Sequence, residues 1–134
     1  MSNMKEANAF EERMTKILGE HGFWASIFPK ASDGSQPADI IALDKMRSHL
    51  IDAKVCSKGR FVFSRMEDNQ LHAMKTFEEK CGGHGWFALQ FPEDRIYMVP
   101  YRALVELQNM GHKSISKVPE YLALEKWLND YSGI

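Results

Sequence analysis

The sequence predicts an α/β domain in which helices flank a central mixed β-sheet. Stretches with apolar residues at helical spacing alternate along the chain with short apolar runs of the kind that form strands. Their order is a helix, four strands, a helix, two strands and two helices, which is typical of this class. The 134 residues, 44% of them hydrophobic, are enough to bury one core, so we expect residues 1–134 to fold as a single domain.

The first helix is predicted from about residue 5 to residue 21, with Gly22 as its C-terminal cap. On its helical wheel Glu11 lies at the edge of the apolar stripe, whereas Glu12 points almost directly away from it. The side chain of Glu11 can therefore point toward the sheet. The alternative is that Glu11 is an ordinary carboxylate on the flank of a solvated helix.

The first strand is predicted at residues 23–28, and a proline ends it. The loop that follows, residues 30–36, is polar and contains Gly and Ser. Its backbone amides, the ammonium of Lys30 and the hydroxyls of Ser32 and Ser35 would suit a phosphate group. The alternative is a plain surface loop.

Two apolar runs, residues 37–43 and 48–55, predict a hairpin around a polar four-residue turn. The first run contains Asp39, and the second contains Asp52 and Lys54. A hairpin centred on the middle of the turn places Asp39 opposite Asp52, with Cβ atoms about 5 Å apart, and Lys54 on the same face. A divalent metal would relieve the repulsion between the two carboxylates. Alternatively, Lys54 and one aspartate form a structural ion pair.

Positive charge is densest after this hairpin, around a predicted short strand at residues 61–63. Such a cluster beside an acidic site suits a polyanionic backbone, although basic residues in loops are usually only solvated. The four basic residues are Lys54, Lys58, Arg60 and Arg65.

The second helix is predicted from Met66 to Cys81, closed by two glycines. Gln70 is the single amide on its inward stripe, so it needs a hydrogen-bond partner. That partner is a phosphate oxygen, a site water or a backbone carbonyl.

The rest of the chain predicts two strands and two helices. The strands are residues 86–91 and 95–99, and a helix at residues 101–110 follows them. A polar connector then leads to a last helix that begins at Pro119.

Composition and charge bear on the class of protein. The formal charge is −1, from 17 basic and 18 acidic residues, so the chain lacks the bulk basicity of many nucleic-acid binders. Cys56 and Cys81 are interpreted as reduced thiols, and no histidines have the spacing of a zinc site. No signal peptide or membrane-spanning run is found, so we expect a cytoplasmic protein.

The order of a helix with Glu, a strand with Asp and a strand with Asp-x-Lys resembles the PD-(D/E)xK nuclease superfamily. Within it, the chain most resembles the archaeal Holliday junction resolvases and, more distantly, the bacterial RecU resolvases and their phage relatives. The similarity covers roughly residues 7–100 and leaves the last 30 or so residues outside it. Two departures are an alanine between Pro37 and Asp39, and aspartate instead of glutamate at position 52. The matching segments are residues 9–13, 18–23, 32–41, 51–54 and 61–83.

The resemblance implies a restriction-endonuclease-like core that hydrolyses phosphodiesters with Mg²⁺, or with Mn²⁺ in its place. Asp39, Asp52 and the Ala53 carbonyl would hold one or two metal ions, and Glu11 would be an outer or second-site ligand, with Glu12 in reserve. Lys54 would orient the attacking water or neutralise charge that develops on the phosphate. It also implies a homodimer that makes paired nicks in a four-way DNA junction, without a membrane or a nucleotide cofactor. The alternatives are a nuclease for other DNA, such as ends, flaps or duplex, and a non-catalytic DNA-binding module. The expected DNA contacts are Lys30, Ser32, Ser35, Lys58, Arg60, Arg65 and Gln70.

Overall fold

The computed structural model describes residues 2–131, with side chains from residue 4 onward. Three short 3₁₀ helices, at Phe63–Arg65, Pro92–Asp94 and Glu120–Leu122, connect the main elements. In chain order the helices and strands are α1 (Ser2–Glu20), β1 (Trp24–Ile27), β2 (Ile40–Leu43), β3 (Ser48–Val55), β4 (Phe61–Val62), α2 (Asp68–Cys81), β5 (His84–Phe91), β6 (Arg95–Pro100), α3 (Tyr101–Asn109), β7 (Ser114–Ile115) and α4 (Leu124–Tyr131).

Five strands form a mixed sheet in the order β1-β2-β3-β5-β6, which confirms the predicted architecture. β3 and β5 run parallel, whereas the other neighbours are antiparallel. Ile40 pairs with Ile51 and Leu43 pairs with Ser48, so the hairpin has the predicted centre. Continued by one residue, this register places Asp39 opposite Asp52.

Helices cover both faces of the sheet. α1 and α4 pack on one face, where Met14, Trp127 and Leu128 join the core. α2 and α3 pack on the other face through Met74 and Leu104. The two helices that flank the predicted site, α1 and α2, therefore approach the hairpin from opposite sides of the sheet.

Several predicted bounds differ from the observed ones, and three departures from the prediction have a visible structural cause. The last helix begins at Leu124 instead of Pro119, because Ala123 is extended and forms an isolated β-bridge with Tyr97. The polar connector contains β7, which pairs with β4 in a second, two-stranded sheet. Met66 is also extended, so α2 begins two residues later than predicted.

Among the described residues, no helix has the length and hydrophobicity that are needed to cross a lipid bilayer. Both Cys56 and Cys81 are free, as the sequence predicted.

Candidate active site

Asp39 lies immediately before β2, where the backbone of β3 holds it in place. Its amide donates to the Ile51 carbonyl at 3.1 Å. Its Oδ2 in turn accepts a hydrogen bond from the Ala53 amide at 2.8 Å. The hairpin register therefore fixes the position of the Asp39 carboxylate. This carboxylate lies beside the end of β3 that carries Asp52.

Asp52 is completely buried and points toward α2. Its Oδ1 accepts a hydrogen bond from Nε2 of Gln70 at 2.9 Å. Its Oδ2 lies 3.1 Å from Nζ of Lys54 but has no hydrogen-bond partner of good geometry. Burial, followed by the negative charge of Asp39, raises the pKa of Asp52 well above its ordinary value, and Lys54 only partly offsets this. Burial and the charge of Asp39 thus disfavour the ionised form of Asp52 in this fold.

Glu11 reaches the same site from α1, on the other side of the sheet. It is 4% exposed, whereas Glu12 faces the solvent. Nζ of Lys30 donates to Oε1 and Oε2 of Glu11 at 2.8 and 2.9 Å, and to Oδ1 of Asp39 at 2.9 Å. Burial raises the pKa of Glu11, although the hydrogen bond from Lys30 acts in the opposite direction. Glu11, and not Glu12, is therefore the α1 carboxylate that lies beside Asp39.

The donor chemistry of this site fits a hard divalent cation such as Mg²⁺, which prefers carboxylate and carbonyl oxygens. Oδ2 of Asp52 is a buried oxygen without a hydrogen bond, and a cationic ammonium already lies between Glu11 and Asp39. Within residues 4–131, however, no three His, Cys, Asp or Glu side chains are arranged to hold a metal as they stand. Nζ of Lys30 thus occupies oxygens of Glu11 and Asp39 that a divalent cation would otherwise use.

Two side chains that are expected to contact DNA bind carboxylates in this structure. Gln70 is 5% exposed, and its amide nitrogen donates a hydrogen bond to Asp52, so it orients this carboxylate. The ammonium of Lys30 donates hydrogen bonds to Glu11 and Asp39. The inward stripe of α2 predicted that Gln70 needs a partner, but no sequence signal identified which one.

An open cavity of about 420 Å³ lies over these groups. The sequence assigned no role in the site to four polar residues that line the cavity, Glu6, Gln36, Ser57 and Glu67. Gln36 and Glu67 lie within segments that resemble the family, whereas Glu6 and Ser57 lie outside them, and the fold brings all four to the cavity. The lining also includes Glu11, Asp39, Ala53, Lys54, Arg65 and Gln70.

The basic residues after β3 are exposed. Within the described part of the chain, Lys58 and Arg60 take part in no ion pair, whereas Arg65 donates to the Val55 carbonyl at 3.0 Å and stacks over the Phe61 ring. Lys58 and Arg60 are thus exposed cations whose charge no neighbouring carboxylate offsets within the described residues. In the loop before β2, Ser32 and Ser35 are also exposed.

Comparisons with known proteins agree with one another. A family model described as archaeal Holliday junction resolvase (Hjc) matches residues 2–131. The expectation that the last 30 or so residues lie outside the family was therefore wrong, since the match includes α3 and α4. No curated protein is detectably similar in sequence.

A solved structure of Hjc, a Holliday junction resolvase from the hyperthermophilic archaeon Archaeoglobus fulgidus, superposes on the chain with a TM-score of 0.68. It covers 91% of this chain and 97% of its own, at 18% sequence identity. At this identity the likeness shows a shared fold, and it agrees with the mixed sheet and flanking helices described above.

Proposed function

Because this chain belongs to the archaeal Holliday junction resolvase family and is a junction-resolving nuclease, we propose that it makes paired nicks in four-way DNA junctions by Mg²⁺-dependent hydrolysis. The observation that carries the catalytic part is the buried, charge-crowded carboxylate of Asp52 beside Asp39, Lys54 and an open cavity. A carboxylate with a raised pKa beside a second carboxylate is typical of a functional site.

Asp39, Asp52 and the Ala53 carbonyl would hold the metal, with Glu11 as a further carboxylate ligand. A Mg²⁺ ion held there would supply polarisation of the scissile phosphate and a lower pKa for a water molecule. Gln70 keeps Oδ1 of Asp52 in a hydrogen bond, so that Oδ2 is the oxygen left for a ligand. Lys54 lies next to that oxygen, where its ammonium would neutralise charge that develops on the phosphate or orient the water.

Two nicks related by symmetry resolve a four-way junction, and a twofold homodimer supplies two equivalent sites. We therefore propose that two copies of the chain act together on the junction. Analytical ultracentrifugation at micromolar concentration tests this part directly, and a monomer with or without junction DNA would remove the paired-nick geometry.

The first prediction is that the protein cuts a mobile four-way junction in preference to a linear duplex of matched sequence. Cutting should require Mg²⁺ or Mn²⁺ and stop with a chelator, because the carboxylates alone supply no Lewis acid. Denaturing gels with each strand labelled in turn would show two nicks of like polarity. Equal cutting of the duplex would contradict junction selectivity, and no cutting of either would favour a binding module.

The second prediction concerns the exposed cations Lys58 and Arg60. Replacing both Lys58 and Arg60 by Ala should weaken junction binding broadly and reduce the salt dependence of binding by about two counterions' worth. The melting temperature should hardly change, because both side chains are exposed. Fluorescence anisotropy across a salt series measures this.

The control for this pair replaces Lys45 and Lys126, which are also exposed. Lys45 lies in the β2–β3 turn, at the opposite end of the hairpin from Asp39 and Asp52, and Lys126 lies on α4. This control makes the same change in net charge. An equal loss of salt dependence in both double variants would mean that net charge alone, and not a local surface, governs binding.

A further inference from the structure

The ammonium of Lys30 occupies the space between two carboxylates that the proposed metal requires. It donates to both oxygens of Glu11 and to one oxygen of Asp39, at 2.8 to 2.9 Å. A lysine ammonium has three N–H donors. All three are therefore used within the site, and Lys30 acts there as a monovalent cation.

The exposure of Lys30 distinguishes it from a permanent member of the site. Its side chain is 44% exposed, whereas the side chains of Glu11 and Asp39 are 6% and 10% exposed. An ion pair with a half-exposed partner contributes little net stability, because water competes for the charge. Lys54 is different, since its side chain is only 14% exposed. Lys30 is thus the cation that leaves more easily.

The loop that carries Lys30 has attachments that do not involve its ammonium. Nδ2 of Asn69, at the start of α2, donates to the Gly34 carbonyl at 3.1 Å. The Ala31 amide donates to Oε1 of Gln36 at 3.1 Å. The four-carbon stem of Lys30 can therefore swing outward while the loop backbone stays in place.

We propose that Lys30 is a tethered counter-ion that competes with the divalent metal for Glu11 and Asp39, and that it moves to a DNA phosphate when the junction binds. This inference rests on the proposed function. Without DNA, the ammonium keeps the two carboxylates together and lowers the affinity for metal. A backbone phosphate is an alternative anionic partner, so junction binding frees the carboxylates. Metal then loads mainly when DNA is present.

The direct test is titration calorimetry of the free protein with Ca²⁺, a divalent probe that also prefers oxygen ligands. The third prediction is that Lys30→Gln binds Ca²⁺ about five- to tenfold more tightly than wild type, since the metal no longer has to break two partly exposed ion pairs. Lys45→Gln makes the same charge change at the far end of the hairpin and should bind Ca²⁺ as wild type does. Should Lys30→Gln fail to fold, Lys30→Met keeps the stem and makes the same test.

A second measurement examines the coupling between metal and DNA. Coupling free energies are reciprocal, so if the junction promotes metal binding, the metal promotes junction binding by the same factor. The gain in junction affinity on replacing chelator by Ca²⁺ should be smaller for Lys30→Gln than for wild type. Anisotropy titrations with a labelled junction give this ratio without any cleavage.

Each outcome of these experiments is decisive. Unchanged Ca²⁺ affinity in Lys30→Gln, with a lower melting temperature, would show that Lys30 is only structural and would overturn the inference. If the Asp52→Asn variant nevertheless loses the Ca²⁺ binding that the wild type shows, the proposed metal site stands, although the inference about Lys30 does not. If the wild type binds no Ca²⁺, either alone or with junction DNA, both the inference about Lys30 and the proposed metal site would be overturned.

Discussion

Asp52→Asn is expected to abolish cleavage of the four-way junction while leaving the protein folded and able to bind the junction. The substitution removes a proposed metal ligand, and even residues that only support metal ligands cost about ten- to a hundredfold when lost. We therefore expect the cleavage rate to fall at least about a hundredfold. Junction binding should be equal or tighter, because a negative charge near the phosphate is lost with it.

The stability of this variant separates a functional carboxylate from a structural one. The pKa of Asp52 is raised, which means that burial and Asp39 disfavour its charge more than Lys54 favours it. Asparagine keeps an acceptor for Gln70 and removes that charge, so the melting temperature should stay the same or rise. If Asp52 served only to neutralise Lys54, stability would instead fall by about 3 kcal/mol or more.

Glu12→Gln is the matched control for this experiment. It makes the same acid-to-amide change next to Glu11, but on the solvent side of α1. It should cut the junction as wild type does. Strong loss of cleavage in Glu12→Gln would mean that α1 presents its other carboxylate to the DNA or the metal.

The second large effect is a loss of stability in mild acid that depends on His49. This side chain is fully buried at the start of β3, and its Nδ1 accepts a hydrogen bond from Nε1 of Trp86 at 2.9 Å. Burial, followed by the nearby His84, lowers the pKa of His49 from 6.5 to about 4. The positive charge of Arg47 acts in the same direction, and Asp44 opposes it. The native state therefore keeps His49 neutral at a pH where the unfolded chain is protonated.

The sign of the pH dependence follows from proton counting. Between pH 6.5 and about pH 4 the unfolded state binds a proton at His49 that the native state does not bind, so stability falls as the pH falls. The free energy of unfolding should lose about 3 kcal/mol across this window through His49 alone, at about 1.4 kcal/mol per pH unit. Urea unfolding at a series of pH values measures it.

His49→Gln keeps a hydrogen-bond acceptor for Trp86 but has no group that titrates in this range. Its free energy of unfolding should therefore fall less steeply between pH 6.5 and about pH 4 than that of the wild type, even if the variant is less stable at pH 7. His112→Gln, an exposed histidine after α3, should keep the wild-type slope. Identical slopes in wild type and His49→Gln would mean that His49 is protonated in the native state.

The sequence by itself determined the elements and the core of the site. Apolar periodicity is a local property, so it predicted the positions of α1, the hairpin and α2 to within a few residues. It also predicted that Glu11, and not Glu12, lies at the edge of the buried stripe of α1. Because side chains alternate along a strand and the turn sets the register, it also paired Asp39 with Asp52 and put Lys54 beside them. The family was recognisable from the same residues and is confirmed by the match over residues 2–131.

The tertiary structure alone decided the partners of the polar side chains and the boundaries at long-range contacts. Gln70 meets Asp52, and Lys30 meets Glu11, because α2 and α1 pack on opposite faces of one sheet and converge at one end of the hairpin. β7 and the start of α4 depend on pairing with β4 and with Tyr97, which lie far away in sequence. A hydrogen-bond donor such as a lysine ammonium fits many acceptors, so its partner is decided by distances that no local pattern contains.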